Sequence, residues 1–508
     1  MSDYNKYVDS KRTEVVASGF DPASLNPKLF DYQEAITRWA IRRGKAALFE
    51  DCGLGKSFQE WEWGHHVSLH TAKPVLLFTP LSVSEQMIDE APEFGYSINL
   101  CETGTDLQSG LNITNYEKLH KFNPDDLGGI ILDESSILKA GTFGKMSTDL
   151  VKFASNIPYR LAATATPAPN DLIEIAFHSE FLGIMREAEI KALFFTQEKN
   201  SSNTFRLKRN AVEKFYEWLA SWAVAIRKPS DLGFSDESFK LPELNIQQIV
   251  IDSSDPFANG TLFTMEAKGL NDQRRARNSS INERVQAVAD MVNASDEQWL
   301  VWCDLNPESE TLARAIPDAI EVQGKDKPAH KIDAMRGFKD GRHRNIISKP
   351  SIFGFGMNFQ NSHNAALCGL GNSFERYYQL IKRQQRFGQR SPVVNVYVFV
   401  SSADGAVVEN IKRKWTQNDT MFDELVKRMA IHTDLGQQTR NEMEYNPQQD
   451  VKIPSWMRKP KTAKTGPGRP WIDLNTIPYQ MTEPLSFLCG VAVGNQSLIV
   501  PQWIKGVI

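Results

Sequence analysis

Cysteine is sparse in this chain: five stand among 508 residues, at 52, 101, 303, 368 and 489, odd in number and without C-x-x-C spacing. Such a set supports neither a disulfide framework nor a zinc site, and a reducing cytoplasm is the expected compartment. No stretch approaches the ~18 to 20 continuous apolar residues of a membrane span. The N-terminal MSDYNKYVDSKRTE lacks the apolar core of a secretory signal. An excess of one charge is missing as well, since 58 basic and 62 acidic side chains leave a net −4. That balance neither demands nor forbids a polyanionic partner, because a basic channel fits inside a mildly acidic total. Residues 451–472 carry six basic and no acidic side chains among prolines and glycines, the composition of an extended linker. No additional acidic cluster with metal spacing follows residues 241–435, which argues against a nuclease. What the chain does have is length, at 41% hydrophobic and 24% charged, enough for two or three domains with their own cores.

Within that length, Glu50-Asp51-Cys52-Gly53-Leu54-Gly55-Lys56-Ser57 follows the apolar run Ala46-Ala47-Leu48-Phe49. The order reads as strand, phosphate loop, helix. Glycines let backbone N–H groups close around a triphosphate, the Lys56 ammonium reaches its β and γ oxygens, and the Ser57 hydroxyl ligates Mg²⁺. The helix that follows aims its N-terminus at the phosphates. The full pattern has glycine five residues before Gly55, where this chain has Glu50. Read alone, the same residues also describe an ordinary glycine turn with a solvated lysine.

A second element adds to the first. Leu127 to Lys139 reads LGGIILDESSILK, a buried strand whose polar end delivers Asp133 and Glu134 side by side. An acidic residue there holds the Mg²⁺ bridging the β and γ phosphates, and its neighbour orients the attacking water. In a doubly wound sheet both elements reach the carboxyl ends of parallel strands, where such folds place their ligands.

Further segments, in order over about 400 residues, resemble those of the superfamily-two helicases and translocases, in the Swi/Snf-type branch of double-stranded DNA translocases and among its compact phage-borne members. Leu29-Phe30-Asp31-Tyr32-Gln33 with Trp39 is similar to the adenine-recognition motif, which implies that Gln33 reads the base. Leu48 to Gln59 is similar to the first motif, Pro74 to Glu90 to motif Ia and Ile113-Thr114-Asn115-Tyr116-Glu117 to motif Ib, the last two implying DNA-backbone contact. Asp133 to Lys139 resembles the second motif, with Ser136 where the family usually has histidine, and Arg160 to Leu172 the third. Gly356-Met357-Asn358-Phe359-Gln360 resembles the fifth. Gln379-Leu-Ile-Lys-Arg383-Gln-Gln-Arg386-Phe-Gly388-Gln389 carries the spacing of the sixth. Arginines at i and i+3 of a helix share one face, and the resemblance implies that Arg383 and Arg386 are fingers reaching the γ-phosphate, with Gln379 in the nucleotide site.

The expected fold is α/β: two RecA-like parallel-sheet lobes with a helical insertion and a small C-terminal extension. Strands are expected at 46–50, 75–79, 111–115, 129–133 and 159–164, then at 299–303, 319–322, 345–348, 364–369 and 393–400. Lobe 1 is placed at 1–170, the helical segment at 171–240, lobe 2 at 241–435 and the basic linker with its extension at 436–508. The aromatics Phe215, Tyr216, Trp218 and Trp222 at helical spacing are expected to pack in a core. Basic clusters at Arg274-Arg275-Ala276-Arg277, Lys412-Arg413-Lys414 and Arg458-Lys459-Pro460-Lys461 read more often as solvated faces than as DNA contacts, and Gly468-Arg469-Pro470 has the shape of a weak minor-groove hook. The expected activity is DNA-dependent ATP hydrolysis with Mg²⁺, driving movement along double-stranded DNA. A strand-separating helicase is one alternative, although no wedge hairpin is legible. A catalytically idle DNA-binding scaffold is the other, against which the complete Lys56, Asp133, Glu134, Arg383 and Arg386 set argues.

Overall fold

A computed structural model describes residues 17–197, 205–237, 239–251, 278, 280–353, 359–369, 371, 373–401, 405–433 and 435. In chain order the strands are β1 (Lys45–Glu50), β2 (Val75–Thr79), β3 (Ile98–Leu100), β4 (Leu111–Asn115), β5 (Gly129–Asp133), β6 (Tyr159–Thr164), β7 (Phe195–Gln197), β8 (Phe205–Leu207), β9 (Ala223–Ile226), β10 (Glu243–Ile251), β11 (Trp299–Cys303), β12 (Ala319–Val322), β13 (Asn345–Ser348), β14 (Asn364–Cys368) and β15 (Val393–Ser401). They form a seven-stranded sheet in the order β3-β4-β2-β5-β6-β1-β9 and a six-stranded sheet in the order β10-β15-β14-β11-β13-β12. Every pairing in both sheets is parallel. These are the two RecA-like lobes.

The apolar runs become strands because helices cover both faces of each sheet, so alternate residues face different cores. Ala47, Phe49, Leu76, Phe78, Ile130 and Leu132 enter one core of the first lobe, while Ala46, Leu48, Val75, Leu77 and Ile131 enter the other. The second lobe sorts in the same way, with Leu300, Trp302, Ile346 and Leu367 on one side and Trp299, Val301, Ile347 and Cys368 on the other.

Residues 171–240 carry the expected helices, Ile175–Leu182, Glu187–Phe194 and Val212–Ala220, and Phe215, Tyr216, Trp218 and Trp222 are core residues. The first sheet also continues into this segment, because β9 pairs with β1. Between the helices, β7 and β8 form an antiparallel hairpin. The second sheet opens with β10 at Glu243.

One helix, Gly405–His432, runs 28 residues and packs on both lobes. Val407, Val408 and Ile411 join the core of the second, and Phe422, Leu425, Val426 and Met429 that of the first. Arg227, just beyond β9, fixes it with ion pairs to Asp419 and Asp423, each at 3.0 Å. Lys412 and Arg413 of the basic cluster on this helix contact Glu409, Asn410 and Gln417 of the same helix, as a solvated face does. The cluster at Arg274–Arg277, the tripeptide Gly356–Asn358 and everything from 436 onward lie outside the described residues. No described helix is long and apolar enough to cross a membrane.

Candidate active site

β1 ends at Glu50, and the chain turns through Asp51–Gly55 into the helix Lys56–Thr71. Gly53 and Gly55 hold φ of +89° and +77°, a region costly to residues with a Cβ. At Gly55 a Cβ would also lie 2.3 Å from Gln33 Nε2. Gln33 ties this loop to the preceding helix Asp31–Arg43: its Nε2 donates to Leu54 O at 2.8 Å and its Oε1 accepts from Phe30 N–H at 3.0 Å. Lys56 Nζ donates to the carbonyls of Glu50 (2.8 Å) and Asp51 (3.1 Å). Ser57 stands in the first turn of the helix. The Glu50 side chain accepts from Gln59 Nε2 at 2.8 Å and is fully buried. Burial pushes its carboxyl up to about 7 against the opposing influence of Lys56 and Gln59.

At the end of β5, Asp133 Oδ2 accepts from Thr79 Oγ1 at 2.7 Å, and its carbonyl accepts from the Tyr116 hydroxyl. Thr79 closes β2, so neighbouring strands of one sheet supply both groups. Glu134 has φ of +55°, one of two such non-glycine residues among those described. A non-glycine residue in this region costs on the order of 1–3 kcal/mol and persists where surroundings enforce it. Burial, and then the charge of Asp133, raises Glu134 above the ordinary carboxylate range, with Arg383 and Lys56 opposing; burial likewise raises Asp133 against Thr79, Lys56 and Arg383. Glu134 Oε2 is buried with no hydrogen-bond partner among the described residues.

The second lobe brings further groups to these strand ends. Arg383 Nη2 lies 4.0 Å from Glu134 Oε1. The shared helical face expected for Arg383 and Arg386 is not what forms: the helix Phe374–Lys382 ends first, and Arg386 sits in the following turn, with its N–H donating to Gln384 O at 2.9 Å. The reason is Gln384, whose buried amide donates to carbonyls of Ser362 and Asn364 and pins the chain away from a helical path. The turn still faces the Asp51–Gly55 loop, because a Cβ on Gly53 would lie 3.3 Å from Arg386 Cβ. Phe387 reaches Phe30 and Phe239 of the first lobe, at ring-centroid distances of 5.7 and 6.0 Å. Gln379 is 1% exposed, and neither amide atom has a partner among the described residues.

Thus Gln33, Gly53, Gly55, Lys56 and Ser57 gather in and around one loop, and Glu134 meets Arg383 across the lobes. Sequence reasoning missed Thr79, Asp51, Tyr378 and His178. His178 Nε2 lies 3.1 Å from Ser135 Oγ, and burial lowers its ring to about 4, so the ring is neutral at pH 7. That places an imidazole from another helix beside Ser135, next in the chain to Asp133 and Glu134. Thr79 had a signal, standing at the end of an apolar run as Asp133 does; the other three have none, because their partners are distant in sequence. No group of three or more His, Cys, Asp or Glu side chains suited to a metal occurs among the described residues. Neither protein-family models nor curated proteins match the sequence.

Proposed function

We propose that the chain is a DNA-dependent ATPase that uses hydrolysis in the cleft between its lobes to move along double-stranded DNA. The observation that carries the reading is the approach of Arg383 from the second lobe to Glu134 of the first, 4.0 Å apart, at the strand ends that also bear Lys56 and Asp133. Lys56 rests on loop carbonyls, acceptors that a bound phosphate replaces. Glu134 Oε2, buried with no hydrogen-bond partner among the described residues, is free to accept from an attacking water. Arg383 and Arg386 neutralise charge that develops on the transferred phosphoryl group.

Mg²⁺ suits this donor set: it takes one or two protein oxygens and leaves the rest of its shell to phosphate and water. Asp133 and Ser57 would hold it, and when bound it neutralises charge on the β and γ oxygens. Gln33, anchored at both ends of its amide, presents its remaining hydrogen-bonding capacity to the adenine edge. DNA as the polymer rests on the resemblance of the Pro74–Glu90 and Ile113–Glu117 segments to backbone-contacting motifs. The host cell interior is the compartment in which such an enzyme meets DNA.

Strand separation is the second reading, favoured by the antiparallel hairpin β7–β8, a shape suited to a wedge. The test is the ATPase rate with no nucleic acid, single-stranded DNA, duplex DNA and RNA, with a forked duplex added to score unwinding. Largest stimulation by duplex without fork opening supports translocation. Fork opening moves the assignment to the helicase, and absence of turnover in every arm rejects both.

A further inference from the structure

Asp51 lies inside the phosphate loop, yet its carboxylate serves the other lobe. Its Oδ1 accepts from Tyr378 Oη at 2.6 Å, and its Oδ2 lies 3.4 Å from Lys382 Nζ. Asp51 is 5% and Tyr378 also 5% exposed, so the bond is made out of water. Its local duty among the described residues is to accept from Cys52 N–H at 2.7 Å, which an uncharged side chain also does. A buried carboxylate without its cation is costly, so retention of a charge here needs a reason beyond the turn.

The reason lies in what the partners carry. Tyr378 and Lys382 belong to the helix Phe374–Lys382, and Lys382 immediately precedes Arg383. The Tyr378 ring is held from behind by Trp415 of the lobe-spanning helix, at 5.4 Å between ring centroids. Arg227, next to β9, is bonded to Asp419 and Asp423 of that same helix. The loop that grips phosphate and the turn that bears the arginines are therefore joined through one carboxylate.

We propose that Asp51 is a positioning residue for hydrolysis: through Tyr378 and Lys382 it sets where Arg383 stands relative to the phosphate loop. This rests on the reading of the cleft as an ATPase site. Asp51 does not touch the reacting atoms; it acts through the arginine.

The experiment measures ATP hydrolysis at saturating duplex DNA, in steady state and single turnover, for the full chain and for Tyr378→Phe, Asp51→Asn, Arg383→Ala and the pair Tyr378→Phe/Arg383→Ala. Tyr378→Phe keeps the ring, its contact with Trp415 and the Asp51–Cys52 bond, and removes the hydroxyl that donates to Asp51. Loss of one hydrogen bond to a buried charge corresponds to roughly a 10- to 100-fold change, and the account places it in kcat, with KM for ATP within about twofold. Asp51→Asn shows the same split. In the Arg383→Ala background, Tyr378→Phe causes no further loss, because the two residues act as one unit. A Tyr378→Phe enzyme with wild-type kcat, or a loss that multiplies fully with that of Arg383→Ala, overturns the proposal while leaving the ATPase reading intact. A wild-type chain that neither binds nor hydrolyses ATP rejects that reading and this inference with it.

Discussion

Lys56 and Glu134 do opposite work in the account, and substitutions separate them. Lys56→Ala removes the proposed phosphate contact of a partly exposed side chain whose hydrogen bonds among the described residues are to the carbonyls of Glu50 and Asp51, so turnover is lost while the melting temperature stays near wild type. Glu134→Gln keeps volume and lowers hydrolysis by about 10²- to 10⁴-fold, the range of a general-base contribution, with ATP binding retained. Equilibrium binding of a fluorescent ATP analogue beside single-turnover hydrolysis distinguishes them, and failure of Glu134→Gln to bind contradicts its role. Glu50 offers a check through pH. Its carboxyl stands at about 7 in the folded chain, against an ordinary value of 4.5. Between those values the native state binds more protons than the unfolded state, so this group's contribution falls as pH rises through the window and is level above it. Glu50→Gln, which cannot ionise, therefore gains on the wild type by up to ~3 kcal/mol at alkaline pH and far less near pH 5. Urea denaturation at both pH values reads the difference; an equal difference at both contradicts the burial argument.

At the scale of elements, the strands with long apolar runs were legible, because Ala46–Phe49, Val75–Phe78 and Ile130–Leu132 have only one way to bury both faces. β3 and β9 were not. The first is three residues long with one buried position, and the second, Ala-Val-Ala-Ile, follows a helix whose aromatics dominate the local pattern. The end of the arginine-bearing helix at Lys382 was hidden for another reason: the spacing of Arg383 and Arg386 fits a helix, and tertiary bonds, those of the Gln384 amide and that of Phe359 N–H to the Arg383 carbonyl among them, divert the chain. Loop conformation was legible where the backbone demands a residue type, as at Gly53 and Gly55. They were illegible where the partner comes from the other lobe, as at Asp51. The helix Gly405–His432 makes its own prediction. Leu425, 1% exposed, sits in the first lobe's core although its helix continues from the second. Leu425→Ala leaves a cavity there and costs about 2–5 kcal/mol, seen as a lower denaturation midpoint. A cost near zero contradicts the packing role of the helix.

For the whole molecule, two sheets alone do not make the proposed enzyme, because each holds half of the chemistry. The first supplies the phosphate loop and the carboxylates; the second supplies the arginines, and the lobe-spanning helix with the Asp51 link brings the halves together. Nucleotide occupancy and lobe geometry are then one variable, which is what a motor needs if hydrolysis is to shift its grip on DNA. The central claim is that hydrolysis requires a residue from the second lobe acting on a substrate held by the first. Single-turnover hydrolysis of ATP by Arg383→Ala, at full nucleotide occupancy and saturating duplex DNA, tests it most directly. ATP affinity within a few-fold of wild type and a rate lower by about 10³-fold or more are expected. Hydrolysis at the wild-type rate would contradict it.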